Sequence, residues 1–288
     1  MSMVEFREVR ASYEAALPVL KGVSFAIEQG EFVAFAGTNG AGKSTTMRLV
    51  NGLLKPDAGQ VLVDGVSTTE LKTSHLARTV GFLFQNPDSQ ICCNTVREEL
   101  LFGFKALGLA GKGAAFEDAQ QAEERVDEMI REFGFNPDVD PFLLNRGARQ
   151  LLALASIVVL APPVVVLDEP TTGLDYRECT KVMNIVRRMH EAGTTVLMVC
   201  HDMEVVADYA KRCIVMNDGR VVDDGPVFEV LRNRDTLARA SLMPPQVVDV
   251  SLELARRVPS LAEGPVGRAN TLEDMVEAVA TVAEGGLA

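Results

Sequence analysis

With 47% hydrophobic and 24% charged residues, the 288-residue chain describes a globular protein able to bury one sizeable core plus a small appendage, or two modest domains. Its 28 basic residues stand against 40 acidic ones, for a formal net charge of -12, and no basic block could track a phosphate backbone. Nucleic acid is thereby excluded as the main partner.

The first residues, Met1-Ser2-Met3-Val4-Glu5-Phe6-Arg7-Glu8, place charges where a signal peptide needs an apolar run, so a cytoplasmic protein is expected. Short strands are predicted over Val4 to Val9, Val23 to Ile27 and Phe32 to Ala36. The third strand runs into Gly37-Thr38-Asn39-Gly40-Ala41-Gly42-Lys43-Ser44-Thr45, which fits G-x-x-x-x-G-K-[ST] between a strand and a helix. Small residues let backbone N–H groups approach a polyphosphate, and the helix start adds positive potential. Lys43 suits the outer phosphates and the Ser44 hydroxyl suits Mg²⁺, so a nucleoside triphosphate pocket is expected.

A helix is predicted from Lys43 to Leu54, stopped at Lys55-Pro56, followed by strands over Gln60 to Gly65 and Thr79 to Phe84. Between Thr95 and Ala155 the pattern turns helical; Val126, Met129, Ile130 and Phe133 recur at helical spacing, with Gly134 as a stop. Strands return at Val164 to Leu167, Thr195 to Cys200, and a hairpin over Ile214 to Val222 with an Asp218-Gly219 turn. Beyond Pro244-Pro245, helices are predicted over Val247 to Arg257 and around Leu272, Met275, Val276 and Val279, behind a Thr271-x-x-Asp274 cap. The apolar faces of this C-terminal unit would either dock on the main domain or form a subunit contact.

Leu151 to Leu167 is uncharged and almost long enough to cross a bilayer, but Pro162-Pro163 divides it into a helix end and a β-type run. Membrane work must then fall to another subunit. The cysteines at 92, 93, 179, 200 and 213 are odd in number and fit no paired C-x-x-C zinc spacing, so they read as reduced thiols without assigned chemistry.

Val164-Val165-Val166-Leu167 describes a buried strand that delivers Asp168 and Glu169 to the phosphate end of a sheet. Asp168 would hold Mg²⁺ and Glu169 would accept the proton of an attacking water, because phosphoryl transfer needs positioning and charge neutralisation. His201 ends another apolar strand and reaches the same layer if the sheet is parallel, where it would sense the γ-phosphate.

Together these residues resemble the ATP-binding-cassette ATPases over about residues 3 to 240, with every motif in the family's chain order. The resemblance implies Walker A at Gly37 to Thr45, adenine stacking on Tyr13, a Q-loop opening at Gln85, Walker B closing at Asp168-Glu169, a D-loop at Gly173-Leu174-Asp175 and a switch histidine at His201. It places Gln85 with Ser44 at Mg²⁺, reporting to a membrane partner. The signature loop, usually L-S-G-G-Q, corresponds to Leu144-Asn145-Arg146-Gly147-Ala148. In the family this loop contacts the other subunit's γ-phosphate. Asn145 keeps a donor and Gly147 keeps close approach, whereas Arg146 adds bulk, either compensating through phosphate or carboxylate pairing or weakening the site.

Phe84-Gln85-Asn86-Pro87-Asp88-Ser89-Gln90-Ile91 and Leu242-Met243-Pro244-Pro245-Gln246-Val247-Val248 further resemble the energy-coupling-factor transporter ATPases, which include cobalt-type systems. That resemblance implies a second ATPase subunit, identical or related, a transmembrane coupling subunit and a small substrate-capture membrane protein, importing a vitamin or transition-metal ion at the cytoplasmic face of the membrane. The expected fold is α/β: a P-loop NTPase core at 1–240 with a helical subdomain inserted at about 95–155, and a C-terminal helical unit at 241–288. A conventional ABC importer ATPase, or a catalytically weak subunit of a mixed dimer, are the alternatives within transport.

Overall fold

The computed structural model describes residues 2–14, 17–108 and 119–285; part of the expected helical subdomain, 109–118, lies outside the described residues. In chain order the strands are β1 (Ser2–Ser12), β2 (Pro18–Glu28), β3 (Phe32–Gly37), β4 (Ala58–Val63), β5 (Val66–Ser67), β6 (Val80–Leu83), β7 (Val164–Asp168), β8 (Thr195–Val199), β9 (Arg212–Asn217) and β10 (Arg220–Pro226). The helices are α1 (Lys43–Val50), α2 (Thr73–Leu76), α3 (Val96–Leu107), α4 (Ala119–Phe133), α5 (Arg146–Val158), α6 (Tyr176–Glu191), α7 (Met203–Tyr209), α8 (Val227–Arg232), α9 (Arg234–Arg239), α10 (Gln246–Arg257), α11 (Pro265–Arg268) and α12 (Leu272–Gly285).

Among the described residues the strands form two sheets, an antiparallel one in the order β2-β1-β4-β5 and a larger one in the order β10-β9-β3-β8-β7-β6. In the larger sheet β9, β3, β8, β7 and β6 run parallel, and β10 joins the edge antiparallel through the expected hairpin. Asp218 and Gly219 both have positive φ, 47° and 73°, the conformation a type I′ turn requires.

Every residue of β3, β7 and β8 is buried, as expected for parallel strands covered on both faces. Alternation splits them between two cores. Val33, Phe35, Val166 and Leu197 pack with α1 and the antiparallel sheet, while Phe32, Ala34, Val165 and Met198 pack against α5, α6 and α7. A third core joins Val96, Leu100 and Phe104 of α3 to Val126 and Met129 of α4 and Leu152 of α5, so the helical block has apolar support of its own.

Several boundaries differ from expectation for local reasons. Helix α1 ends at Val50 rather than Leu54, because Asn51 caps it and Gly52 turns left-handed at φ 72° before Pro56 is reached. The strand expected over Gln60 to Gly65 stops at Val63, where Asp64 and Gly65 turn at positive φ into the short β5. Uncharged Leu151 to Leu167 is divided between α5 and β7, and among the described residues no helix is long and apolar enough to cross a membrane.

At the C-terminal end the Thr271 hydroxyl accepts the Asp274 N–H at 3.1 Å, and the Asp274 carboxylate accepts the Thr271 N–H at 3.0 Å. Arg232 of α8 donates to the carbonyls of Ala269 (3.1 Å) and Gly267 and to Ser251 Oγ (3.3 Å), which ties α10 and α11 to the core. Helix α12 leaves Leu272, Val276, Val279 and Val282 exposed.

Strand β3 closes on Gly37 at φ 142°, and a Cβ there would collide with the backbone carbonyl of Met216 on β9. Gly37→Ala is therefore expected to destabilise the chain by about 1–3 kcal/mol from backbone conformation alone, with the collision added. A urea midpoint measured without nucleotide checks this; an unchanged midpoint contradicts it.

Candidate functional site

The parallel order places the ends of β3, β8, β7 and β6 side by side, which brings the phosphate loop, His201, the Asp168-Glu169 pair and Gln85 to one edge of the sheet. In the phosphate loop Gly40 and Gly42 have φ of 80° and 103°, and open space lies where a Gly40 side chain would project. Lys43 is only 5% exposed, and its ammonium donates to the carbonyls of Gly37 (2.7 Å) and Thr38 (2.9 Å). Burial lowers its pKa from the usual lysine range, against the opposing pull of Glu169 and Asp168.

Ser44 Oγ donates to Asp168 Oδ1 at 3.0 Å. Burial raises the Asp168 pKa above the usual carboxylate range, partly countered by the Ser44 hydrogen bond, while the neighbouring charge of Glu169 raises it further. A hydroxyl and a buried carboxylate so placed are hard oxygen donors of the kind Mg²⁺ takes alongside substrate phosphates, so the residues present fit that ion. Bound there, it would supply neutralisation of phosphate charge.

Glu169 has φ 54°, an uncommon conformation for a residue with a side chain, and its N–H donates to the Val199 carbonyl of the neighbouring strand end at 3.0 Å. Its carboxylate gathers three partners. Oε1 lies 2.7 Å from His201 Nε2, and Oε2 accepts from Gln85 Nε2 at 2.6 Å and from Thr172 Oγ1 at 3.0 Å. Gln85, Glu169 and His201, singled out separately along the sequence, thus meet on one side chain. Gln85 bonds to Glu169 rather than to Ser44 or Asp168 in this arrangement.

Thr172 escaped the sequence reading. Threonine is common in turns, and the only local signal was the tight return after Glu169, closed by the Thr172 N–H on the Glu169 carbonyl at 3.3 Å.

Tyr13 stands beside α1, 54% exposed, with its hydroxyl 3.3 Å from Thr45 Oγ1 and accepting from Arg48 Nη1 at 3.1 Å. The Arg48 guanidinium lies 5.8 Å from the ring centroid. Thr38 and Asn39 line a cavity of about 600 Å³ together with His201, Glu204, Met243 and Gln246, so the chain after Leu242 borders the phosphate loop. The Gln246 N–H donates to Glu204 Oε1 at 2.7 Å, which ties that chain to the helix following His201.

Asn145, Arg146, Gly147 and Asp175 form a second group. Asn145 caps α5 by accepting the Ala148 N–H at 2.8 Å, and Asp175 caps α6 reciprocally with Glu178. Arg146 donates to the Thr172 carbonyl at 3.2 Å beside Gly173, and a Cβ on Gly147 would strike the Glu178 carboxylate. Among the described residues, the hydrogen bonds of this group do not run to the phosphate loop of the same chain.

The chain was compared with known proteins. A family model described as "ABC transporter" matches residues 20–172. The energy-coupling factor transporter ATP-binding protein EcfA of Methanothermobacter thermautotrophicus is 38% identical over 252 residues, covering 86% of this chain and 78% of that protein. Three longer relatives are also 38% identical, and the chain spans 45%, 42% and 39% of their lengths.

Among solved structures, cbiO1 of Clostridium perfringens, described as part of the ABC transporter complex cbiONQ, superposes with a TM-score of 0.72 at 28% identity, covering 90% of this chain and 97% of that one. The ATP-binding cassette MJ0796, in a dimeric post-hydrolysis state bound to ADP and Pi, gives 0.69 at 28% identity, over 78% of this chain and 99% of that one. With the P-loop fold, the buried Lys43 and the paired carboxylates in place, this chain belongs to the ABC transporter family and is one of its ATPase domains, with ATP as nucleotide and Mg²⁺ as metal.

Proposed function

We propose that the chain energises solute uptake as an ATPase of an energy-coupling-factor transporter, working at the cytoplasmic face of the membrane. The observation that carries the catalytic part is the convergence of Gln85, Thr172 and His201 on the Glu169 carboxylate, one strand end away from Asp168 and Ser44. In this reading residues 1–240 are the cassette, about 95–155 its helical subdomain and 241–288 the C-terminal unit.

Nucleotide phosphates take over the Lys43 ammonium from the Gly37 and Thr38 carbonyls, with backbone N–H groups of residues 37–45 around them. Tyr13 offers its exposed ring to adenine. Ser44 and Asp168 would hold the metal, and Gln85, released from Glu169, would be a further ligand for it, the ion supplying neutralisation of phosphate charge. Glu169 then takes a proton from water as the water attacks the γ-phosphorus and the bond to the β–γ bridging oxygen breaks, leaving ADP and phosphate, while His201 steadies the γ-phosphate oxygens. Asn145, Arg146, Gly147 and Asp175 face a second cassette, so closure on ATP completes two sites and loss of the γ-phosphate opens them. Arg146 favours the secondary possibility of a weaker site in a mixed dimer, since it stands where the family places glycine.

The transport type is supported by the stretch from Phe84 to Ile91 and by the identity to EcfA. Gln90 in that stretch donates to the Ala153 carbonyl at 2.8 Å and to Ser156 Oγ at 3.2 Å, beside a cavity of about 320 Å³ lined by Phe82, Phe84, Phe102 and Leu107. A coupling subunit would seat there, with a small capture protein choosing a vitamin or transition-metal ion.

Affinity capture of the full chain from detergent-solubilised membranes, with each partner identified by mass spectrometry, tests this. One multi-spanning subunit together with small membrane proteins is expected. A permease pair with a separate soluble binding protein would instead assign a conventional importer.

A further inference from the structure

We propose that Cys92, Cys93 and Glu99 form a binding site for a soft or borderline divalent cation, Zn²⁺ or Cd²⁺, separate from the nucleotide site. One ligand atom from each of the three lies within 4.8 Å of the other two. They join the segment after Gln90 to the first turns of α3, and Glu99 also lines the cavity that holds Phe84 and Gln90.

The arrangement is built by Glu99, which is 3% exposed. Its Oε2 accepts the N–H groups of both Cys92 and Cys93 at 2.9 Å, fixing two successive backbone units around one carboxylate and holding both thiols near it. Cys92 is exposed and Cys93 half-buried, so the site opens to solvent on the Cys92 side and rests on a buried anion on the other. Two sulfurs and one carboxylate oxygen make a ligand set suited to zinc-like ions, with water completing four-coordination.

A purely structural Glu99 would need only its acceptor oxygen. Glutamine keeps that oxygen for both N–H groups and removes the charge, so Glu99→Gln separates the two roles. The spacing carried no sequence signal, because adjacent cysteines and a glutamate within the next helix match no C-x-x-C pattern.

The test titrates the reduced full-length chain with Cd²⁺, without nucleotide, and follows the ultraviolet thiolate-to-cadmium absorbance. One ion per chain is expected. The band should disappear in Cys92→Ser and Cys93→Ser and persist in Cys179→Ser, and Glu99→Gln, with an unchanged circular dichroism spectrum, should bind at least about tenfold more weakly. Absence of the band in the wild type, its survival in the double variant C92S/C93S, or wild-type affinity in E99Q would each overturn the assignment.

Discussion

Replacing Glu169 with glutamine is expected to lower ATP turnover by about 10²–10⁴-fold, the range of a lost general base, while leaving nucleotide affinity near that of the wild type. The substitution is nearly isosteric, and the new side chain keeps a carbonyl oxygen able to accept from Thr172 or from a His201 N–H. What it loses is the capacity to take up a proton. ATP should then persist on the variant and hold two copies together, so size-exclusion chromatography is expected to show an ATP-dependent dimer that the wild type forms only transiently. Undiminished turnover, measured as phosphate release by the assembled complex, would remove Glu169 from its place in the reaction.

Lys43→Met should act earlier, on binding as well as on hydrolysis. The ammonium is buried by the loop and pays for that burial with two carbonyl contacts, at Gly37 and Thr38, which leaves it poised to exchange them for phosphate oxygens. Methionine fills similar volume without charge, so the fold should stand while the electrostatic contribution goes; a loss of about 10²–10³-fold in turnover is expected. Fluorescent-nucleotide titration gives the binding part and phosphate release the rest. Retention of both at wild-type levels would refute the phosphate-loop assignment.

The strand, glycine-rich turn and helix around Lys43 could be read in advance, because small residues, one lysine and a hydroxyl at that spacing between an apolar run and a helical one leave few other local structures. The buried run before Asp168 was equally plain, since Val164 to Leu167 cannot face water on either side. Less visible were features made by tertiary geometry alone. Two-residue β5 has no periodicity to detect, and α1 stops early because Asn51 and Gly52 act before Pro56.

Thr172 and Arg146 gain their meaning only when the turn after β7 folds back: the first bonds Glu169 with its hydroxyl and receives Arg146 on its carbonyl. Arg232 likewise gives no hint along the chain that it fastens α10 and α11 to the core.

Gln85 and Gln90 bracket a short stretch of backbone, the former leashed to the Glu169 carboxylate and the latter moored to Ala153 and Ser156 of α5. The Glu169 carboxylate and helix α5 are thus joined through one short segment of chain. In the reading proposed above, a displacement of α5 would strain or release the Gln85 tether, so the posture of the helical block would set how free the Glu169 carboxylate is.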